Sequence, residues 1–114
     1  VSAPPAVLRL PDPCVIVLVG ASGSGKSHWA ASQFGAGSPA VVVSSDGLRA
    51  VVGQGEHDQR AGTDAFDVLA LILDRRCRRG LTTVVDATSL DAKQRGRWLA
   101  TARKHGLPAH AVVF

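Results

Sequence analysis

The sequence predicts an α/β protein, a three-layer sandwich with a parallel sheet of about four strands between helices. Two observations carry this. Apolar, β-branched runs ("CVIVLVG" from Cys14, "AVVVSSD" from Ala40 and "LTTVVDAT" from Leu81) alternate with segments of helical periodicity. Continuous runs of that kind belong to strands buried on both faces, with crossover helices above and below. The second is a Gly/Ser-rich turn between the first strand and the first helix. Gly20-Ala21-Ser22-Gly23-Ser24-Gly25-Lys26-Ser27 fits G-x-x-x-x-G-K-[ST] at every position.

Taken in order, "VSAPPAV" is Pro-rich, and "VLRL" is a candidate edge strand that "PDP" ends. Residues 1–13 therefore read as an N-terminal extension and 14–114 as the core. After the first strand, a helix begins near Lys26 and stops before Gly35, Gly37 and Pro39. "AVVVSSD" is a second buried strand ending in polar residues, and residues 47–62 read as a short helix plus a loop. "TDAFDVLALILDRRCRRG" is the clearest helix, capped by Thr63 or Asp64 and closed by arginines and Gly80. "LTTVVDAT" is the third buried strand, Ser89 a cap for a helix from Leu90 to His105, and "AHAVVF" the start of a fourth strand. That strand runs to the last residue, so the core is expected to be truncated at Phe114.

The 114 residues suit one domain, and 46% hydrophobic with 19% charged residues is a globular composition. A net charge of +4 favours anionic partners such as nucleotides or nucleic acid, and equally fits a mildly basic surface with no partner. Cys14 and Cys77 lack any paired spacing and read as small buried hydrophobes of a reducing cytoplasm. No apolar run is long enough to span a bilayer, and the N-terminus lacks the pattern of a signal peptide. The expected localisation is cytoplasmic.

The chemistry of polyphosphate explains the turn. Its oxygens need several donors converging on them, and glycines let successive backbone N–H groups point inward with no Cβ in the way. The helix that follows adds its free N–H groups and positive dipole end. Residues Gly20, Ala21, Ser22, Gly23, Ser24, Gly25, Lys26 and Ser27 thus form a candidate cradle for ATP or GTP. Lys26 is expected to reach the β- and γ-phosphates as a mobile point charge, and the Ser27 hydroxyl to bind Mg²⁺. His28 reads as a helix-surface residue, and Trp29 and Phe34 as core.

In open parallel sheets, ligands sit beyond the carboxyl ends of the strands. Asp46 and Asp86 both fall there. Asp86 fits the acid that organises Mg²⁺ in such sites, directly or through water. Asp46 is then a candidate general base, taking the proton of an attacking hydroxyl, with a helix N-cap as the competing or additional role. Arg49 lies on the same helical face and could hold the anionic end of an acceptor. Arg75, Arg76, Arg78 and Arg79 form the densest charge cluster. They read as helix-end charges at the sheet edge away from the site, rather than as a nucleic-acid surface.

"VLVGASGSGKSHWA", "VVSSDGLR", "DAFDVL" and "TTVVDAT" occur in this order. Together they resemble the kinase module of bacterial polynucleotide kinase–phosphatase proteins, P-loop phosphotransferases often labelled AAA-type ATPase domains. The resemblance covers nearly all of the chain from Val7 onward. It implies ATP and Mg²⁺ as cofactors and phosphorylation of an RNA or DNA 5′-hydroxyl end, in end healing before ligation. It also implies a downstream phosphatase domain in the full-length protein. By resemblance, Lys26 and Ser27 hold the ATP phosphates and metal, Asp46 activates the 5′-hydroxyl, and Arg49 contacts the acceptor's 3′-side phosphate. This chain departs from the family at His28, where Thr is common, and at Ser89, where Asn is common. The family's arginine-bearing lid lies beyond the fourth strand, so residues 1–114 alone are expected to be inactive. A small-molecule or toxin-type P-loop kinase, and an ATP-binding regulatory ATPase module that transfers nothing, share the cradle and remain alternatives.

Overall fold

The computed structural model describes residues 13–20, 25–34, 38, 40–87 and 92–114, with the backbone alone at Ser27 and Ala92. Strand β1 (Val15–Val19) leads to α1 (Lys26–Gln33), β2 (Val41–Ser44) and α2 (Ser45–Val52). A 3₁₀ turn (Gln59–Ala61) then enters α3 (Gly62–Arg78), followed by β3 (Thr83–Asp86), α4 (Ala92–Lys104) and β4 (Ala109–Val113). The four strands form one parallel sheet in the order β2-β3-β1-β4. The expected strand at "VLRL" and the expected cap at Ser89 lie outside the described residues.

Period-two alternation along the strands builds two apolar layers. Val15, Val17, Val43 and Val85 face α3 and α4, where they pack with Leu69, Leu73, Cys77, Trp98 and Ala102. Cys14, Ile16, Leu18 and Val84 face the other way, toward Trp29 and Ala30 of α1. Trp29 also meets Phe34 and Phe114 edge-on, with ring centroids 5.9 and 5.5 Å away. Neither cysteine is in a disulfide, and both are buried, as small hydrophobes should be. Burial pushes the Cys77 thiol up from its ordinary pKa. No helix among the described residues is long and apolar enough to cross a membrane.

Two local expectations are corrected. The second strand is not buried throughout: among the described residues β2 has β3 as its one neighbour in the sheet, and Val41 is 42% exposed. A β-branched run signals strand but does not distinguish an edge from a centre. The third helix is capped neither by Thr63 nor by Asp64, because its N-cap is Ala61, with no side-chain cap bond. The 3₁₀ turn runs straight into α3, and the entry is capped one step earlier by Asp58, whose side chain accepts from the Arg60 N–H. At its far end α3 closes as expected. Gly80, at φ 68°, lets its own N–H reach the Cys77 carbonyl and that of Leu81 reach the Arg76 carbonyl.

The edge holding the amino ends of the strands is stapled by charge. Arg76 donates to the Thr83 hydroxyl and the Thr82 carbonyl, each at 2.9 Å. Asp74 of α3 meets His105 just past α4 at 2.8 Å, Arg75 at 2.6 Å and Lys104 at 3.5 Å. The arginine cluster thus lies at the end of the sheet away from the phosphate turn. The His105 hydrogen bond, followed by the nearby cations, draws the Asp74 carboxyl down to about 2. A depressed carboxyl stabilises the fold above its ordinary pKa, and that contribution is lost as pH falls from about 4 toward 2. Asp74→Asn removes the contribution at neutral pH. Its melting temperature is therefore expected to fall less steeply than that of the parent between pH 5 and pH 2, which scanning calorimetry can check.

Candidate active site

The sheet order creates the site. The chain leaves β1 for the far edge at β2, returns to β3 and then crosses to β4, so the connections from β1 and β3 diverge at the carboxyl ends of adjacent strands. A crevice at such a point is where open α/β sheets bind ligands. The register sets Ser44, Asp86 and Leu18 level across β2, β3 and β1. Asp86 therefore stands at the mouth of the crevice, and Asp46 lies two residues beyond the same level on the neighbouring strand.

Helix α1 begins at the residue after Gly25, whose φ of 87° is a left-handed conformation that suits glycine. This places Lys26 in the first turn, pointing across the crevice. Its ammonium lies 3.0 Å from Asp86 Oδ1 and donates to the Ala87 carbonyl at 3.1 Å. Lys26 is 3% exposed, so the expected mobile point charge is here a buried and tethered one. The tether follows from topology, because β1 and β3 are adjacent and the strand-end carboxylate is the nearest anion. Gly20, just past the end of β1, is buried. Residues 21–24 and the Ser27 side chain, named above as cradle and metal ligand, lie outside the described residues.

Asp46 and Arg49 form the second half of the site. Ser44 is the N-cap of α2, its hydroxyl accepting from the Gly47 N–H at 3.3 Å. Asp46 is therefore not the cap. It stands in the first turn, favoured there by the helix dipole, and pairs with the Arg49 guanidinium one turn on. Arg49 Nε also donates to the Glu56 carbonyl at 2.8 Å. The paired serines of "VVSSD" thus divide their work, and the second was missed by sequence reasoning. Ser45 is 1% exposed, and its hydroxyl has no hydrogen-bond partner among the described residues. The Ala87 and Glu56 carbonyls were missed as well, since main-chain acceptors leave no signal in residue type. His28 is on the surface, as expected.

The structure brings together Lys26 with Asp86, and Asp46 with Arg49, along the carboxyl edge of one parallel sheet. A strand, a G-x-x-x-x-G-K-S turn and a helix led by its lysine, with a strand-end aspartate opposite, define a P-loop nucleotide-binding domain. Comparison with known proteins narrows the class. A family model described as an AAA domain matches residues 15–114, and the chain belongs to that family. Among solved structures, a chain of one titled "Structure of Pnkp1/Rnl/Hen1 complex" shares the fold, with a TM-score of 0.75 and 20% sequence identity. The match covers 94% of this chain and 37% of that one. No functionally curated protein matches.

The donor set fits a magnesium–nucleotide complex. Among the described residues no cluster of three or more His, Cys, Asp or Glu could hold a metal unaided. Mg²⁺ beside a polyphosphate does not need one, since it keeps several waters and takes one or two protein oxygens plus phosphate oxygens. Asp86, already facing a buried cation, is a carboxylate suited to that share.

Proposed function

We propose that this domain is the ATP-binding core of a kinase that phosphorylates a polynucleotide 5′-hydroxyl end. The observation that carries the reading is the Asp46–Arg49 pair, set on the carboxyl edge of the sheet that also holds Lys26 and Asp86. A module that only binds or hydrolyses nucleotide needs the second pair but not the first. The fold shared with a chain of the Pnkp1/Rnl/Hen1 complex and the motif resemblance support the same assignment.

In this reading the phosphate turn and Lys26 hold the ATP phosphates, and Ser27 with Asp86 holds Mg²⁺. When bound, Mg²⁺ neutralises charge on the phosphate oxygens. Arg49 takes a phosphate of the acceptor strand and so fixes the position of its end. Asp46 accepts the proton of the 5′-hydroxyl as that oxygen bonds to the γ-phosphorus and ADP leaves. The test is transfer of labelled γ-phosphate from ATP to a 5′-hydroxyl oligonucleotide by the full-length protein. Label on the oligonucleotide supports the reading. Intact ATP binding with label only on a small molecule, or only as free phosphate, overturns it.

A further inference from the structure

Arg49 is held from two sides, and only one of them is its neighbour on the helix. Besides Asp46, it donates from Nε to the main-chain carbonyl of Glu56, in the connection between α2 and the 3₁₀ turn. A carbonyl in an exposed connection holds its place only if the backbone around it is fixed. Here one side chain ties the two ends of that connection together. Asp58 Oδ2 accepts from the Gln54 N–H and Oδ1 from the Arg60 N–H, both at 3.0 Å, so the carboxylate bridges the two sides of Glu56. The Gln54 N–H, foremost among several causes, draws the Asp58 carboxyl below its ordinary pKa, in line with a carboxylate used as an acceptor. The Asp58 N–H in turn reaches the Gly55 carbonyl at 3.0 Å. Gly53 makes room for the turn: a Cβ there would collide with the Asp58 carboxylate and stand 2.8 Å from the Ala61 Cβ.

We propose that Asp58, with Gly53 beneath it, is a positioning device for Arg49: it holds the Glu56 carbonyl where it fixes the guanidinium that receives the acceptor phosphate. The inference rests on the reading of Arg49 given above. Among the described residues, Asp58 bonds to neither Arg49 nor Lys26. Its effect passes through the backbone from Gln54 to Arg60. An arginine held at Nε presents its remaining N–H groups in a set direction, which lowers the entropy lost when a phosphate docks. The site thus has a nucleotide half fixed by the sheet and an acceptor half fixed by a turn.

The experiment uses the full-length protein and compares Asp58→Ala, Gly53→Ala and Arg49→Gln, with oligonucleotide and ATP varied separately. Asp58→Ala is expected to raise the acceptor KM about tenfold, the scale of losing one charge-assisted hydrogen bond, with kcat changed less than about threefold and the KM for ATP unchanged. Gly53→Ala is expected to move the same parameter in the same direction. In an Arg49→Gln background, Asp58→Ala is expected to add less than about a twofold effect, because the two residues act as one unit. A general structural role would instead leave the two effects additive. Exchange of the Arg49 Nε–H, followed by NMR, is expected to quicken in Asp58→Ala, a readout independent of turnover. If Arg49→Gln raises the acceptor KM while Asp58→Ala moves neither that KM nor the exchange, the positioning role is wrong and the reading of Arg49 stands. If Arg49→Gln leaves the acceptor KM unchanged, the reading of Arg49 fails and takes the positioning role with it.

Discussion

Lys26→Ala is expected to weaken nucleotide binding and transfer by at least about 10²-fold, the scale of removing one preorganised donor from an oxyanion. It is also expected to lower the stability of the protein by about 3 kcal/mol, because Asp86 keeps its buried place and loses its cation. The second effect separates a buried pair from a surface one. Urea unfolding checks it, with the midpoint moving down while the slope is unchanged. Lys26→Ala combined with Asp86→Asn is expected to recover at least half of the lost stability, since the stranded charge is then gone. Equal midpoints for Lys26→Ala and the parent would show that the other surroundings of Asp86 make up for the lost cation.

Asp46→Ala is expected to behave in the opposite way. Phosphoryl transfer should fall about 10²–10⁴-fold, the range for losing a general base. ATP affinity should stay within about twofold, because among the described residues Asp46 pairs with Arg49 and not with Lys26. Stability should change by less than about 1 kcal/mol, as its partner Arg49 lies one turn away on a partly exposed helix face. Equilibrium ATP binding measured beside the transfer assay checks the pair of expectations. A large loss of ATP affinity would give Asp46 a structural role instead. Lys26 and Asp46 thus separate along two axes, one failing in binding and stability, the other in chemistry alone.

Much of this was legible in the sequence, and the reason is the period of each signal. Val15 to Val19 and Thr83 to Asp86 are strands because β-branched residues dominate them, with Leu18 the one other apolar residue and Asp86 at the strand end. The placement of Asp46 and Asp86 on one edge followed from the rule for parallel sheets before any coordinates. What was not legible was pairing. Whether Val41 lies at an edge depends on strand order, which residue type does not encode. That Ser44 and not Asp46 caps α2 is decided by where the strand stops, a matter of one or two residues. The tether of Lys26 to the Ala87 carbonyl, and that of Arg49 to the Glu56 carbonyl, involve main-chain atoms that every residue carries.

The four charges of the site cancel. Lys26 is matched by Asp86 and Arg49 by Asp46, so the pairs present little field to an incoming polyanion at long range. Two exposed cations, Arg75 and Lys104, sit at the opposite edge of the sheet, around Asp74. Ligand entry is therefore an ion exchange rather than an attraction. In the proposed reading a phosphate that reaches either cation displaces a carboxylate from it, so the association rate is expected to depend less on ionic strength than two unpaired cations would make it, which stopped-flow binding at two salt concentrations can check.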